Sequence, residues 1–173
     1  MFTTDDDKLR ADWELLAHGA VTLFWRKRLF DDAKEALRAL DYRLVEVLCT
    51  TSDQFTADVG FGLNWLGQFG YEPWTGNLDA LNDGLRDPPF GPTGCLALCL
   101  EGFHQLIAEN PTLANGVLDV IEYQSRNQLL IGRRLLALVQ TNDGSFHAAA
   151  LGARGATWNQ AEWLNSSRIL KPT

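Results

Sequence analysis

Short apolar segments and longer helical patterns alternate along the chain. The apolar segments lie at residues 20–26, 43–49, 95–100 and 133–141, and each has the length of a strand. The segment at 95–100 is apolar without interruption, as expected for a central strand that is covered on both faces. Strands that alternate with helices predict an α/β fold with a parallel sheet.

Between these strands, apolar positions recur every three or four residues, which predicts helices. The predicted helices cover residues 5–17, about 30–40, 52–66, 77–85, 102–109 and 112–126. Residues 20–49 would then form a β-α-β unit with neighbouring parallel strands. A turn signal at 142–145 predicts a hairpin that returns residues 146–151 antiparallel to the preceding strand, and residues 158–164 are predicted as a short helix.

The helix at 77–85 has one apolar and one acidic side. Leu78, Leu81 and Leu85 share the apolar side, whereas Asp79, Asn82 and Asp83 lie opposite, and Asn77 is placed to cap the helix. Asp79 and Asp83 are four residues apart and repel each other by about 0.2–0.5 kcal/mol. Such a local conflict indicates either a functional surface or an ordinary solvated face.

Charge is distributed unevenly along the 173 residues. The net charge is −7, yet the segment from Asp53 to Glu122 contains ten acidic side chains and a single arginine, Arg86. A field of one sign favours association with a basic partner and disfavours nucleic acid, whose phosphates it repels. We therefore expect a small basic protein as the partner, with no nucleic acid and no membrane.

Composition bounds the remaining possibilities. A chain of this length with 46% hydrophobic residues is long enough for one packed domain, so we predict a single domain over residues 1–173. The N-terminal residues lack the pattern of a secretory signal, and no run of 18 apolar residues occurs, so we expect a cytoplasmic protein. Cys49, Cys95 and Cys99 are read as reduced core thiols. No cofactor and no metal is expected.

The run Gly76-Asn77-Leu78-Asp79-Ala80-Leu81, followed by Asp83 and Leu85 and preceded by Trp74, resembles the signature of the barstar family. This family comprises intracellular inhibitors of the secreted ribonuclease barnase. The resemblance extends loosely over residues 43–141 and implies a three-stranded parallel core packed with helices. Around that core, the chain would add an N-terminal strand-helix unit at 1–42 and a C-terminal hairpin with a short helix at 142–173.

The resemblance implies an immunity protein that is not an enzyme and that covers the active site of a small basic ribonuclease or related toxin. Asp83 matches the acid that occupies the phosphate site of the ribonuclease. Asn82 stands where the family has a tryptophan, Gly84 where it has a cysteine, and the lead-in at 71–75 is altered. The implied partner-binding residues are Trp74, Gly76, Asn77, Asp79, Asn82, Asp83, Glu122 and Tyr123.

Other interpretations of these residues stay open. Trp74 is equally typical of a core aromatic, and Asn77 of a cap alone. A regulatory binding module with a non-nuclease partner fits the altered positions. A small hydrolase would use a cysteine and His104, which lies with Glu101 beyond the end of the 95–100 strand. Metal binding by Asp79 and Asp83 lacks a third ligand in the sequence pattern.

Overall fold

A parallel sheet forms the centre of the molecule. The computed structural model describes residues 10–71, 73–149, 151–152 and 154–169. Its strands are β1 (Val21–Phe24), β2 (Arg43–Leu48), β3 (Cys95–Glu101), β4 (Arg134–Gln140) and β5 (Thr157–Trp158). They lie in the order β2-β3-β4-β1-β5 and every pair is parallel, with Leu98 between Val45 and Ala137 in register. The predicted α/β class with a parallel sheet is confirmed.

Helices cover both faces of this sheet. They are α1 (Ala11–Leu16), α2 (Lys27–Arg38), α3 (Ser52–Gly62), α4 (Trp65–Phe69), α5 (Leu78–Gly84), α6 (Phe103–Glu109) and α7 (Pro111–Leu130). On one face, Phe30 and Leu37 of α2 pack with Ala97 and Leu136. The larger core, on the other face, holds the apolar side chains of α3 to α7. Because both faces are covered, β3 and β4 are apolar along almost their whole length.

The strand order corrects the predicted β-α-β unit at residues 20–49. The connections from β2 to β3 and from β3 to β4 each move one place along the sheet, with their helices on the larger core. The α2 connection crosses the opposite face, from β1 to the far edge at β2. β1 and β2 are parallel as predicted, but β3 and β4 separate them, so the prediction that they are neighbours is wrong.

The predicted C-terminal hairpin is also wrong. The turn itself forms, because Asp143 accepts hydrogen bonds from the backbone N–H and hydroxyl of Ser145. The chain then turns inward at Phe146, and the described residues 146–149 contain no strand. The reason is that β3 and β1 occupy both edges of β4, so β4 has no free edge for an antiparallel return.

Three further differences concern the ends of the chain and the size of the sheet. Trp158 belongs to β5, and short 3₁₀ helices at Gln160–Glu162 and Asn165–Ser167 replace the predicted helix at 158–164. The first helix begins at Ala11, and the part predicted at residues 5–9 lies outside the described residues. The sheet has five parallel strands; a three-stranded parallel core with an added N-terminal strand was expected, and β5 was not predicted.

A buried carboxylate holds α1 to the sheet. Asp12 is fully buried and accepts two hydrogen bonds from Arg10 and one from the Tyr42 hydroxyl, while Nε of Arg134 lies 3.7 Å away. Burial alone would raise the pKa of Asp12, but these hydrogen bonds and positive charges outweigh burial, so the pKa lies below its usual range.

Replacement of this carboxylate tests the network. Asp12→Asn should lower the free energy of unfolding at pH 7 by about 2 kcal/mol, because the charge-assisted hydrogen bonds from Arg10 and Tyr42 are weakened or lost. A lowered pKa in the folded state stabilises above the unfolded value of about 3.9, and that contribution is lost as pH falls through the folded pKa. Urea unfolding should therefore show a smaller difference between wild type and variant at pH 3 than at pH 7.

Asp32→Asn is the matched control, because Asp32 is exposed and pairs with Arg28 on the surface of α2. That variant should change the free energy of unfolding by less than about 1 kcal/mol. A difference between Asp12→Asn and wild type that stays constant from pH 7 to pH 3 would contradict the assignment.

Candidate functional site

The start of α5 is fixed by side chains that precede it. Asn77 is extended at φ −68° and ψ 116°, and its Oδ1 accepts a hydrogen bond from the N–H of Ala80, 3.0 Å away. Gly76 has φ +86°, a conformation that suits glycine, and it turns the chain into this cap. The Trp74 indole N–H donates to the carbonyl of Asn77 at 2.9 Å. The predicted cap is confirmed, and the buried Trp74 side chain supports it through this hydrogen bond.

The inner side of α5 packs against the larger core and against α7. Leu81 and Leu85 are buried, as the apolar stripe predicted. Leu78 lies over Gly116 of α7, where a Cβ atom would come within 2.3 Å of a Leu78 methyl group. The absence of a side chain at Gly116 therefore permits the close approach of the two helices.

Two glutamines of α7 bind the C-terminal half of α5. Nε2 of Gln124 donates to the backbone carbonyl and to Oδ1 of Asn82, at 3.0 and 2.7 Å. Nε2 of Gln128 donates to the carbonyls of Leu85 and Arg86, at 2.9 and 2.7 Å. Both glutamines are buried, so their amides satisfy backbone groups that the short helix leaves unpaired.

The outer side of α5 carries carboxylates. Asp79 and Asp83 are exposed, and on the neighbouring helix α7 the side chains of Asp119 and Tyr123 are exposed too. We call these four side chains the acidic surface. Oδ1 of Asp83 lies 3.4 Å from Arg86, and both side chains are more than half exposed, so the ion pair contributes only about 0–1 kcal/mol. Within the described residues no cation lies within 4 Å of the Asp79 carboxylate.

Three of the predicted partner-binding residues take structural positions instead. Glu122 is buried on another side of α7, where it accepts a hydrogen bond from the N–H of Ala20 at 2.7 Å and holds the start of β1. Trp74 is 1% exposed and packs against core aromatics. Asn82 is half-buried and turns toward Gln124. Asp79, Asp83 and Tyr123 lie on the surface as expected. Glu122 was misplaced, Asn82 turns inward where an outward position was expected, and Trp74 takes the core position that the sequence had left open.

The chain was compared with protein-family models, with curated proteins and with solved structures. None of them matches. The barstar resemblance therefore rests on the short motif from Trp74 to Leu85. Within the described residues, no group of three or more His, Cys, Asp or Glu side chains could hold a metal ion, and no helix is long and apolar enough to cross a bilayer.

The carboxyl edge of the sheet is where ligands of open parallel sheets bind, at the point where the connections change face. Here that point lies between β4 and β1, where Gln140 and Glu162 bind groups of the protein itself. Gln140 accepts from the N–H of Gly102 and donates to Asn142, at 3.0 Å each. The Glu162 carboxylate accepts from the N–H groups of Trp25 and Arg26, at 2.8 Å each, so it occupies the N-terminus of α2.

The side chains that the hydrolase interpretation would use are hydrogen-bonded to other groups or buried. Nδ1 of His104 accepts a hydrogen bond from the N–H of Asn142 at 3.2 Å, so this nitrogen is not a free base. Burial raises the pKa of the Cys99 thiol to about 12, and burial with two nearby carboxylates raises that of Cys49 further. Such thiols stay protonated at neutral pH and are poor nucleophiles.

The sequence patterns assigned no role to Gln124, Gln128 and Arg86, which lie in or beside the contact between α5 and α7. A signal was present, because Gln124 and Gln128 continue the helical spacing of the buried residues Val117 and Ile121. A glutamine in that position needs polar partners, and the unpaired carbonyls of a short neighbouring helix supply them.

The Asn77 cap can be tested by paired variants. Asn77→Ala should lower the free energy of unfolding by about 1 kcal/mol, because the N–H of Ala80 loses its acceptor. Asn77→Asp keeps an acceptor and should stay close to wild type. Urea denaturation followed by tryptophan fluorescence measures both, and equal destabilisation by the two variants would show that the cap does not support α5.

Thiol reactivity tests the burial of the cysteines. All three thiols should resist Ellman's reagent at pH 8 in the folded protein, and all three should react after unfolding in guanidinium, since burial blocks access to the sulfur atoms. Rapid reaction of one thiol in the native protein would reopen the hydrolase interpretation.

Proposed function

We propose that the protein is a barstar-like inhibitor, an immunity protein that binds a small basic ribonuclease or related toxin and covers its active site. The acidic surface makes the contact, with Asp79 and Asp83 in the place of substrate phosphates. In this proposal the protein is not an enzyme and needs no cofactor.

The observation that carries the proposal is the contrast between the two sides of α5. Its inner side is fastened by Leu81, Leu85 and two glutamine amides, whereas its outer side presents two carboxylates with almost no compensation. A rigid helix that holds repelling carboxylates in solvent lowers the cost of ordering them in a complex. Arginines of a partner would find both acceptors in place.

The distribution of charge favours the approach of a basic partner to the protein. Acidic side chains dominate the segment from Asp53 to Glu122, and several are exposed around α5 and α7. Such a field accelerates encounter with a basic protein and orients it toward α5. The active site of a ribonuclease must attract phosphate, so its cations complement this surface.

The order of the strands is compatible with a barstar-like core. The segments predicted for that core, β2, β3 and β4, are consecutive in the sheet, and α5 lies in the connection between the first two. β1 and β5 would then be additions at one side. The reduced thiols are consistent with the cytoplasmic location that we include in the proposal.

A regulatory module with a non-nuclease partner is the second candidate. The position of Asn82 favours it, because the family's tryptophan at this position is replaced by an amide that turns inward to Gln124. The surface beside Asp83 thus lacks an aromatic contact that the resemblance would supply. Such a module would use the same acidic surface for a basic protein of another class.

An inhibition assay with barnase as the probe ribonuclease tests the first candidate. The protein should inhibit RNA cleavage, and Asp83→Asn should weaken the complex by at least about 2 kcal/mol in calorimetry, because it removes the anion that pairs with active-site cations. Asp79→Asn should weaken it to a smaller extent. Neither variant should lower the free energy of unfolding, since both side chains are exposed.

Asp32→Asn on α2 is the matched control, with the same change in net charge on the opposite face of the sheet. Lysozyme serves as a basic protein that is not a nuclease. Absence of inhibition, or equal affinity for barnase and lysozyme, would overturn the ribonuclease proposal. Equal effects of the Asp83 and Asp32 variants would overturn the assignment of the site.

A further inference from the structure

A cleft opens beside the acidic surface, between the C-terminal end of α5 and the second half of α7. It encloses about 260 Å³ and is lined by Arg86, Tyr123, Gln124, Asn127, Gln128 and Ile131. Asp83 adjoins it through the ion pair with Arg86. The residues of this cleft are polar at the back and half-exposed or fully exposed at the rim, which is the form of a pocket for one polar side chain.

One buried atom in the lining of the cleft, Oε1 of Gln128, lacks a hydrogen-bond donor within the part of the chain that the structure describes. The side chain is only 2% exposed, and both of its N–H contacts go to the carbonyls of Leu85 and Arg86, which fixes the orientation of the amide. Its Oε1 is buried and has no hydrogen-bond partner among the described residues. A buried carbonyl oxygen without a donor is unfavourable. Because Gln128 lines the cleft, a ligand N–H group would satisfy this oxygen after a small movement of the lining.

The surrounding charges specify the kind of donor. Asp79, Asp83 and Asp119 are exposed on the two helices, and Asp83 lies beside Arg86, which lines the cleft. Tyr123 offers a half-exposed ring at the rim. A guanidinium group combines a positive charge, several N–H donors and a flat face that stacks on an aromatic ring.

We propose that the cleft receives an arginine side chain of the partner, and that Arg86 is its intramolecular competitor. This inference rests on the proposed function and names the side chain of the partner that the same site recognises. The incoming guanidinium donates to Gln128 Oε1, stacks on Tyr123 and takes Asp83 from Arg86. In the free protein Arg86 lines the cleft and its guanidinium lies 3.4 Å from Asp83, so this ion pair must open before the complex forms.

If Arg86 is a competitor, its removal changes the affinity for the partner in the direction opposite to the removal of a binding residue. An arginine that contributed to binding would lower affinity when removed, whereas a competitor raises it. The Asp83–Arg86 pair is weak because both side chains are more than half exposed, so its release is within reach of a better-placed cation.

A titration followed by NMR tests the pocket with a defined probe, N-acetyl-arginine amide. The probe should shift the side-chain amide signals of Gln128 and the ring signals of Tyr123 in a saturable way. N-acetyl-citrulline amide has the same shape without the charge and should give no saturable shift. Arg86→Met should tighten binding of the arginine probe several-fold, and Asp83→Asn should abolish saturation.

Arg133→Met is the matched control, because Arg133 is a nearby arginine paired with Asp87 that does not line the cleft. That variant should bind the probe as wild type does. Weaker binding by Arg86→Met, an equal response to the citrulline probe, or no shift at Gln128 would overturn the inference.

The two proposals fail in different ways. If barnase binding depends on Asp83 but is unchanged by Arg86→Met, and Gln128 does not respond, the pocket is refuted and the inhibitor proposal survives. If the arginine probe binds at Gln128 but barnase and lysozyme do not bind at all, the inhibitor proposal is refuted and the pocket survives as a site for arginine.

Discussion

The contact between α5 and α7 is the constraint on which the candidate site depends. A helix of seven residues is too short to be stable in water, and this one carries carboxylates that repel each other on its outer side. It persists because Leu78 fits over Gly116 and because Gln124 and Gln128 bind its carbonyls. The geometry of the acidic surface is therefore set by α7, a twenty-residue helix that packs along β4.

Most helices and strands of the fold could be predicted because their signals are local. The apolar segment that became β3 and the cap at Asn77 depend on residues within one turn or one strand. The order of the strands depends on which edge each strand occupies, and no local pattern encodes it. The hairpin expected after residue 145 shows this, because its turn chemistry is present at Asp143 but β1, from the other end of the chain, already occupies the edge of β4.

The candidate site divides in the same way. Asp79 and Asp83 could be assigned to the surface from helical period, since the leucines opposite them fix which side is buried. Glu122 could not be assigned, because its burial depends on a backbone N–H contributed by Ala20, 102 positions away. The inward turn of Asn82 likewise depends on Gln124, whose reach across two helices is a property of packing and not of either segment alone.

The position of β1 has a consequence for the order in which the molecule is assembled. Residues 21–24 lie between β4 and β5, strands that come more than a hundred residues later in the chain. During synthesis this early segment has no neighbouring strand to pair with until residues 134–158 have been made. Its apolar side chains therefore stay without their strand partners until then. Nascent chains should therefore present Val21 to Phe24 to chaperones for most of translation.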